Sequence, residues 1–455
     1  MSAYCEAVAA ASVREDGVAL ASLLRLSAER SHPGGTAALV ALASRRRQLG
    51  SAGALASASQ REAAAAGIAD LAPVCGLHVA AVAALQIASE LGDNDVNKSS
   101  LSTWLSEAFD AQTQAFRKFL EVFRAEGSWL VPALMSLVHD TRVLAVWADS
   151  VRGDGRQECL RETKTLLETC FRLTTMGRAT SSEAQKKRSV GLYIVNHQFK
   201  VFFALKSLQL CRNLVRSVEM PTFPELDSFP LDQRVMYQFY RGRLLILDDR
   251  VAEARRALQF ALDNCPTALR HNRKLILEFL VPISLFCGRA PTQNLLREYG
   301  IDYLADLMTH VQNGNVRALT KLIDDQQDHF IARGLFLTLD QLKVLAYRNL
   351  FRNVILIYQD SAADRAKTRV PLDILMRPFE LYSEPDPLAQ FADADGDDST
   401  AVSQEELMEH IKCVLSNLIF QRYVKGYISH EKATLVLSPK EPFPKLNTIH
   451  PLEEA

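Results

Sequence analysis

The sequence is notable first for what it lacks: metal-ligand spacing, basic excess and long apolar runs. Its eight cysteines include no Cys-X-X-Cys pair, which argues against a zinc site and is typical of a reducing compartment. The formal net charge is −1, so any nucleic-acid contact must come from local basic patches. No run of about 18 apolar residues occurs, and acidic residues interrupt the start of the chain. We therefore expect no membrane span and no secretory signal.

Catalytic motifs are also absent from the sequence. It contains no glycine-rich phosphate loop, HExxH motif, nucleophile elbow or kinase motif set, and its ten histidines are dispersed. On apolar helices, lone histidines such as His197 and His310 are typical structural residues. We therefore expect a protein that is not an enzyme and has no cofactor and no small-molecule substrate.

One acidic stretch partly resembles a calcium-binding loop. Asp393 to Asp398 begins like an EF-hand, with carboxylates at the first, third and fifth positions. The sixth position is Asp398 where glycine is required, and the twelfth is Gln404 where a glutamate should complete the ligand shell. The pattern therefore favours a flexible acidic loop, and we expect no metal site.

Length and composition predict several mainly α-helical domains. The chain has 455 residues, of which 48% are hydrophobic, enough for two or three packed cores. Three prolines between Met220 and Pro230 mark the strongest boundary. The predicted parts are an Ala-rich helical region (1–100), N-terminal helical repeats (101–220), tetratricopeptide-like repeats (231–333) and a winged helix (334–446).

The tetratricopeptide-like part is indicated by the spacing of small and helix-stopping residues. These positions are Gly242, Ala254, Leu258, Ala261 and Pro266. Two polar residues precede them where bulky ones are expected, so the repeat is degenerate. Further helices are predicted at 272–287, 292–299, 301–312 and 315–325, with breaks at Gly288, Gly300 and Gly314. Such stacks offer a curved surface for peptide partners.

The last part has the order helix, helix, helix, hairpin. Apolar residues recur at helical spacing from Leu335 to Ile357, and a capping box at Ser403 precedes another amphipathic helix. β-prone residues in 424–429 and 433–438 flank a polar turn, which predicts a two-stranded wing. This order is typical of a winged helix.

Two strings in this part carry a family resemblance. They are Tyr347-Arg348-Asn349-Leu350-Phe351 and Val424-Lys425-Gly426-Tyr427-Ile428-Ser429-His430, supported by the run from His271 to Leu277. Over about residues 190–446 the chain resembles the PCI domain, named for the proteasome lid, the signalosome and a translation initiation factor. Within that superfamily it resembles the PCI-domain-containing protein two family.

The resemblance implies a fold, a role and a location. The fold is mainly α, with a helical-repeat (TPR-like) array followed by a C-terminal winged helix. The role is a non-enzymatic subunit that docks on a large mRNA-export scaffold and holds a small acidic disordered peptide of the proteasome-lid type. With the scaffold it forms a joint RNA- or DNA-binding platform. The implied location is the nucleus, at the nuclear pore, with the cytoplasm left open.

Six basic residues are the predicted phosphate contacts. Two lie four apart on the first winged-helix helix and the others surround the wing: Arg348, Arg352, Arg422, Lys425, Lys432 and Lys440. They would bind phosphate without reading sequence. A packed, carboxylate-paired role stays open for Arg348. Base reading by the third helix is disfavoured, because its outer face carries Glu405, Glu409, Lys412, Cys413, Ser416 and Phe420.

A second basic group flanks the start of a repeat helix. Arg270, Arg273 and Lys274 are predicted to receive the acidic peptide, with ordinary exposure as the alternative. A third basic run, 186–188, is predicted to be a solvated loop, with contact to an anion as the alternative.

Other functions remain open at this point. The chain could be a PCI subunit of the signalosome, the proteasome lid or a translation initiation factor assembly. A freestanding DNA-binding regulator is disfavoured by the near-neutral charge and the acidic third helix.

Overall fold

The computed structural model describes residues 2–26, 52–65, 69–91, 98–175, 182–361, 368–380 and 404–449. The chain forms two compact units, Met1–Tyr240 and Arg241–Ala455. The proline-rich segment before Pro230 is non-helical except for a short 3₁₀ turn, Leu226–Ser228. The next helix, Leu231–Leu247, contains the division between the units. The four predicted domain ranges stay predictions.

Unit 1 is helical throughout its described part. Its helices are α1 (Ser2–Val13), α2 (Gly17–Leu23), α3 (Ala52–Ala65), α4 (Ala72–Leu91), α5 (Lys98–Ala125), α6 (Val131–Arg152), α7 (Glu158–Thr175), α8 (Ser182–Arg188), α9 (Gly191–Ala204), α10 (Leu208–Val218) and the first part of α11 (Leu231–Leu247). Helix α5 packs between α4 and α6 and buries Phe109, Phe116, Phe119 and Phe123. These side chains are seven, three and four residues apart, which places them on one broad apolar face.

One helical stretch of unit 1 passes a simple test for a membrane span. Ser128–Arg152 has a mean hydropathy of 1.2 over its most apolar 18 residues, and half of that window is buried inside the protein. By length and composition this helix could cross a membrane, contrary to the expectation that the chain has no such segment. The core helix of a globular protein passes the same test, so the finding is only weak support for a membrane span.

The predicted loop at 186–188 is wrong. These residues end helix α8, and the Lys187 ammonium donates to the carbonyl oxygens of Phe123 (2.9 Å) and Glu126 (2.7 Å). These carbonyls lie at the C-terminal end of α5, where a helix has unpaired acceptors and favours a positive charge. Lys187 therefore joins α8 to the end of α5.

Unit 2 contains a helical array followed by a winged helix. After α11 come α12 (Val251–Asp263), α13 (Arg270–Phe286), α14 (Gln293–Glu298), α15 (Tyr303–Asn313), α16 (Val316–Asp325), α17 (Gln327–Arg333), α18 (Phe336–Ser361), β1 (Arg369–Pro371), α19 (Leu372–Glu380), α20 (Gln404–Phe420), β2 (Gly426–Ser429), β3 (Thr434–Leu437) and α21 (Leu446–Ile449). This order confirms the predicted fold class.

The predicted close approach of two helices at Gly242 is confirmed. A Cβ added to Gly242 on α11 would lie 2.7 Å from Cγ of Leu258 on α12, so only glycine fits there. Helices α13 to α16 follow the predicted ranges within a few residues. The three predicted break glycines all have left-handed backbone, with φ between 62° and 73°.

The wing has one more strand than predicted. Strand β3 lies in the middle of an antiparallel sheet of order β1-β3-β2, with Val370 opposite Leu435 and Ile428 also opposite Leu435. The two-stranded prediction is therefore wrong. Pro371 in β1 has no N–H to donate, which suits it to the edge of a sheet.

The apolar stripe of α18 is confirmed only in its first half. Leu335, Leu339, Leu342 and Ala346 are buried, whereas Ile357 is 70% exposed. Towards the end of the helix the buried positions are Phe351 and Ile355 instead. The predicted acidic loop 393–398 lies outside the described residues.

Candidate nucleic-acid and partner interface

The Tyr347–Phe351 string forms the centre of the winged helix. The Tyr347 ring stacks near Phe379 of α19, with ring centroids 6.2 Å apart, and meets His410 of α20 at the same separation. Phe351 is fully buried. The Asn349 amide donates to the carbonyl of Val311 in α15 (2.8 Å). The string thus joins the three helices of the winged helix to the helical array.

Arg348 is an interior residue and not a free cation. It is 8% exposed, and its guanidinium donates to the carbonyl oxygen of Pro444 (2.8 Å) and to Oδ1 of Asn349 (2.9 Å). The ring of Phe443 lies 5.9 Å from its guanidinium carbon. Burial, with repulsion from Arg352, lowers the pKa of Arg348. The predicted phosphate contact is corrected here, because other protein groups already bind this guanidinium. Among the described residues its partners are a carbonyl and an amide, and none is a carboxylate.

Residues 439–446 form a segment that we call the C-terminal strap. The Lys425 N–H donates to the carbonyl of Pro442 (2.8 Å), and its ammonium pairs with Glu441 (2.7 Å). Farther along, Leu446 contacts Gly288 at the end of α13. The strap therefore connects the wing to the helical array. The Lys425 pair is about half exposed on both sides, so it contributes little to stability and can exchange for a phosphate.

Five of the six predicted cations are exposed, and among the described residues four of these lack the kind of ion pair that Lys425 makes. Arg352 lies on α18, Arg422 follows the end of α20, Lys432 lies in the hairpin turn and Lys440 lies in the strap. In the part of the chain that the structure describes, the side chains of these four make no ion pair or hydrogen bond. They are available for phosphate oxygens.

The wing places these cations at two ends. Lys432 lies at the hairpin turn, whereas Arg422 and Lys425 precede β2 and Lys440 follows β3. A strand of four residues spans about 13 Å, so the turn and the base of the wing are well separated. A nucleic-acid backbone would meet positive charge at both ends.

The outer face of α20 offers no basic surface. Its Lys412 is paired with Glu409 (2.6 Å), and the hydrogen bond from Lys412 lowers the pKa of Glu409. The face ends at Phe420, which is 86% exposed. Major-groove base reading by this helix is therefore disfavoured.

Two exposed aromatic residues were given no role from the sequence. Phe420 ends α20, and Tyr427 on β2 is 63% exposed. Strand alternation was the available signal for Tyr427: its neighbour Ile428 pairs with buried Leu435, so Tyr427 points to the other face. Exposed aromatics beside cations suit either base stacking or a protein contact.

The predicted peptide-binding cations brace the helical array instead. Arg273 donates to the carbonyls of Leu262 (3.0 Å) and Cys265 (2.7 Å) at the end of α12. Arg270 and Lys274 donate to the carbonyls of Glu298 (2.6 Å) and Gly300 (2.9 Å), at the C-terminal end of α14. Cations at helix C-termini are stabilising in themselves. These contacts explain the three residues without a peptide, whose binding at this place stays a prediction.

Comparison with known proteins decides the family. No family model matches the chain. It is 32% identical over 361 residues to "PCI domain-containing protein 2 homolog" of Dictyostelium discoideum, covering 76% of both proteins. It is 31% identical over 349 residues to "PCI domain-containing protein 2" of Xenopus laevis, covering 75% of this chain and 80% of the relative. The chain belongs to the PCI domain-containing protein 2 family.

The family assignment agrees with the fold described above. PCI domain-containing protein 2 relatives cover about three quarters of this chain, and the chain has the helical repeats and winged helix of PCI proteins. A relative named "Protein CSN12 homolog", from Mycosarcoma maydis, is 26% identical over 410 residues, or 83% of this chain and 85% of the relative. PCI proteins typically assemble into complexes, and the relatives support a PCI scaffold role for this chain.

Proposed function

We propose that this PCI-family chain is a non-enzymatic subunit of a nuclear mRNA-export complex, located at the nuclear pore. It docks on a larger export scaffold and adds phosphate contacts to a shared RNA- or DNA-binding platform. A small acidic disordered peptide of the proteasome-lid type is a further proposed partner. The observation that supports the nucleic-acid role is the set of four exposed cations, Arg352, Arg422, Lys432 and Lys440, on the winged helix.

The proposed mechanism is addition of weak contacts from two proteins. A few phosphate contacts bind weakly and lose affinity steeply with salt. Within unit 2, α18 packs on α13, α15 and α16, so the winged helix is held on the helical array. If the scaffold holds a second basic surface beside it, both sets of contacts engage one nucleic acid at high effective concentration.

The test replaces those four cations with glutamine and leaves Arg348 and Lys425 intact. RNA binding by the assembled complex is then measured over a range of salt concentrations. Each phosphate contact on single-stranded RNA contributes about 0.7 to the slope of log affinity against log salt, so four lost contacts should lower the slope by about 3. Scaffold association, measured by co-purification, should not change.

A matched control changes charge elsewhere on unit 2. Lys321 and Arg317 of α16 lie on the helical array, outside the winged helix, and are replaced with glutamine in the control. An unchanged salt slope in the four-residue variant, or an equal loss in the control, would contradict the proposed interface. Imaging of a fluorescent fusion tests the nuclear location.

A protein-only assembly is the second candidate. The exposed Phe420 and the non-basic outer face of α20 favour contact with another protein. A subunit of the signalosome, the proteasome lid or a translation initiation factor assembly would use such a face. Purification of the tagged chain with its partners distinguishes these assemblies from an export complex.

A further inference from the structure

Helices α6 and α9 of unit 1 pack side by side and bring matching residues together. The Tyr193 hydroxyl donates to the carbonyl of Met135 (3.1 Å). About one turn later, the rings of His139 and His197 meet edge to face, with centroids 5.9 Å apart. The Arg142 Nε then donates to Nδ1 of His197 (3.2 Å). Residue numbers increase in the same direction along both helices, so the two helices run parallel. Lys200 follows His197 by about one turn of α9, which places it at the level of Arg142 on α6.

Within the described part of unit 1, two cations of this arrangement, Arg142 and Lys200, lack an acidic partner, whereas His139 has one. The Asp140 carboxylate accepts from the Leu26 N–H (2.7 Å) and lies 3.0 Å from Nδ1 of His139. Across the described residues of unit 1, no acidic side chain pairs with Arg142 or Lys200. Unpaired cations that are partly withdrawn from water are unfavourable unless a ligand compensates them.

The protonation equilibria agree with this geometry. Burial and then repulsion from Arg142 lower the pKa of Lys200 to about 8. Burial, Arg142, Lys200 and His139 hold the pKa of His197 well below its usual range. Since Nδ1 of neutral His197 accepts from Arg142, its Nε2 carries the proton and is a hydrogen-bond donor.

We propose that Arg142, Lys200, His139 and His197 form a binding site for a phosphate monoester dianion. Arg142 and the protonated form of Lys200 together match two negative charges, whereas one carboxylate would leave one cation uncompensated. A planar guanidinium, an ammonium and an imidazole N–H together suit the several acceptor oxygens of a phosphate group. This site is on unit 1, so it is independent of the winged-helix cations.

An apolar strip beside the site indicates which source of phosphate binds better. Val143, Val146 and Trp147 follow His139 on one face of α6 and are 43%, 45% and 37% exposed. A phosphorylated side chain within a polypeptide can place its neighbouring residues on this strip. Free phosphate would use only the cations. We expect the phosphorylated polypeptide to bind more tightly.

The first experiment measures the melting temperature of the full chain against inorganic phosphate at about pH 7.5, where the dianion predominates. Sodium chloride keeps the ionic strength constant. The melting temperature of the wild type should rise with phosphate, since binding stabilises the folded state. Lys200→Met should weaken phosphate binding at least about tenfold, the low end of the effect of losing one charged hydrogen bond. The same variant should be at least as stable as the wild type without phosphate.

Lys206→Met is the matched control, because Lys206 is exposed just after α9. It should keep the full phosphate response, and Lys200→Arg should keep most of it. Absence of any phosphate response in the wild type, or equal responses in Lys200→Met and Lys206→Met, would overturn the site. A large loss of stability in ligand-free Lys200→Met would show that Lys200 is structural and would also overturn it.

The second experiment compares a phosphoserine peptide with its unphosphorylated and aspartate forms by calorimetry. Tighter binding of the phosphoserine peptide than of inorganic phosphate assigns the source to a phosphorylated polypeptide, and equal affinity assigns it to free phosphate. Equal affinity of the aspartate and phosphoserine forms would refute the requirement for a dianion.

Discussion

Replacing Arg348 with methionine should loosen the C-terminal strap while leaving most of the helical array intact. The guanidinium supplies the hydrogen bond to the Pro444 carbonyl at 2.8 Å and lies against Phe443. Methionine fills much of the same volume but donates no hydrogen bond. The change therefore isolates the polar contacts of Arg348 from its packing.

The expected size follows from those contacts. A hydrogen bond from a charged donor contributes about 1.5–3 kcal/mol. The cation's interaction with an aromatic ring adds about 0.5–1 kcal/mol. Part of this loss is offset because methionine removes a positive charge from a buried position. That charge is unfavourable there, as the lowered pKa of Arg348 indicates. A net loss of about 2 kcal/mol in the stability of the strap remains, which is about a 30-fold change in an equilibrium constant.

Hydrogen exchange measures this loss where it occurs. The Lys425 N–H donates to the Pro442 carbonyl at 2.8 Å, so its exchange reports opening of the strap. In Arg348→Met its exchange should be about 30-fold faster, because the free energy of local opening falls by about 2 kcal/mol. Arg352→Met, at an exposed position of the same helix, should leave the rate nearly unchanged. Unaltered Lys425 exchange in Arg348→Met, with weaker RNA binding, would refute this account and restore Arg348 as a phosphate contact.

Three further predictions concern stability. Glu278→Gln should lower the free energy of unfolding of unit 2 by about 2 kcal/mol in urea, because it removes the ion pair between the 1% exposed Glu278 carboxylate and Arg333 on α17. An unchanged urea midpoint would show that this ion pair contributes nothing. Gly314→Ala should cost about 3 kcal/mol and Gly334→Ala about 1 kcal/mol. Both have φ above 70°, but only at Gly314 would a methyl overlap the backbone of α18; equal costs in thermal melts would contradict this. Burial lowers the pKa of His78 to about 4, so the unfolded chain binds more protons than the folded one below pH about 6.5. The stability of unit 1 should therefore fall by up to about 3 kcal/mol as the pH falls from 6.5 to 4, and less in His78→Leu; identical pH profiles would reject this role.

The sequence predicted the elements whose signals are local. The wing was predictable because β-prone residues around Tyr427 and Leu435 flank a polar turn, and the pairing of the two strands follows from that turn. Strand β1 was missed because Arg369–Pro371 is too short to show alternation and contains a proline. Its pairing with β3 joins residues that are far apart in the chain, and a local pattern does not show this.

The candidate site was predicted less well for the same reason. Helical spacing placed Arg348 beside Arg352, but spacing does not show that a segment almost one hundred residues later covers one of them. The cations at the start of α13 donate to carbonyl groups at the ends of neighbouring helices, and only the folded array brings these helix ends close to them. In contrast, the acidic character of the outer face of α20 depends on one helix alone, and the prediction there agrees with the structure.

The C-terminal strap also has a consequence for synthesis on the ribosome. Arg348 and Pro444 are 96 residues apart in the chain. At about 5–20 residues per second, the interval between their translation is on the order of 5–20 seconds. Throughout that time the nascent first helix of the winged helix carries a guanidinium without its Pro444 acceptor, beside apolar side chains that the strap does not yet cover. We expect the nascent chain to be most open to chaperones and proteases in this interval, until the strap emerges.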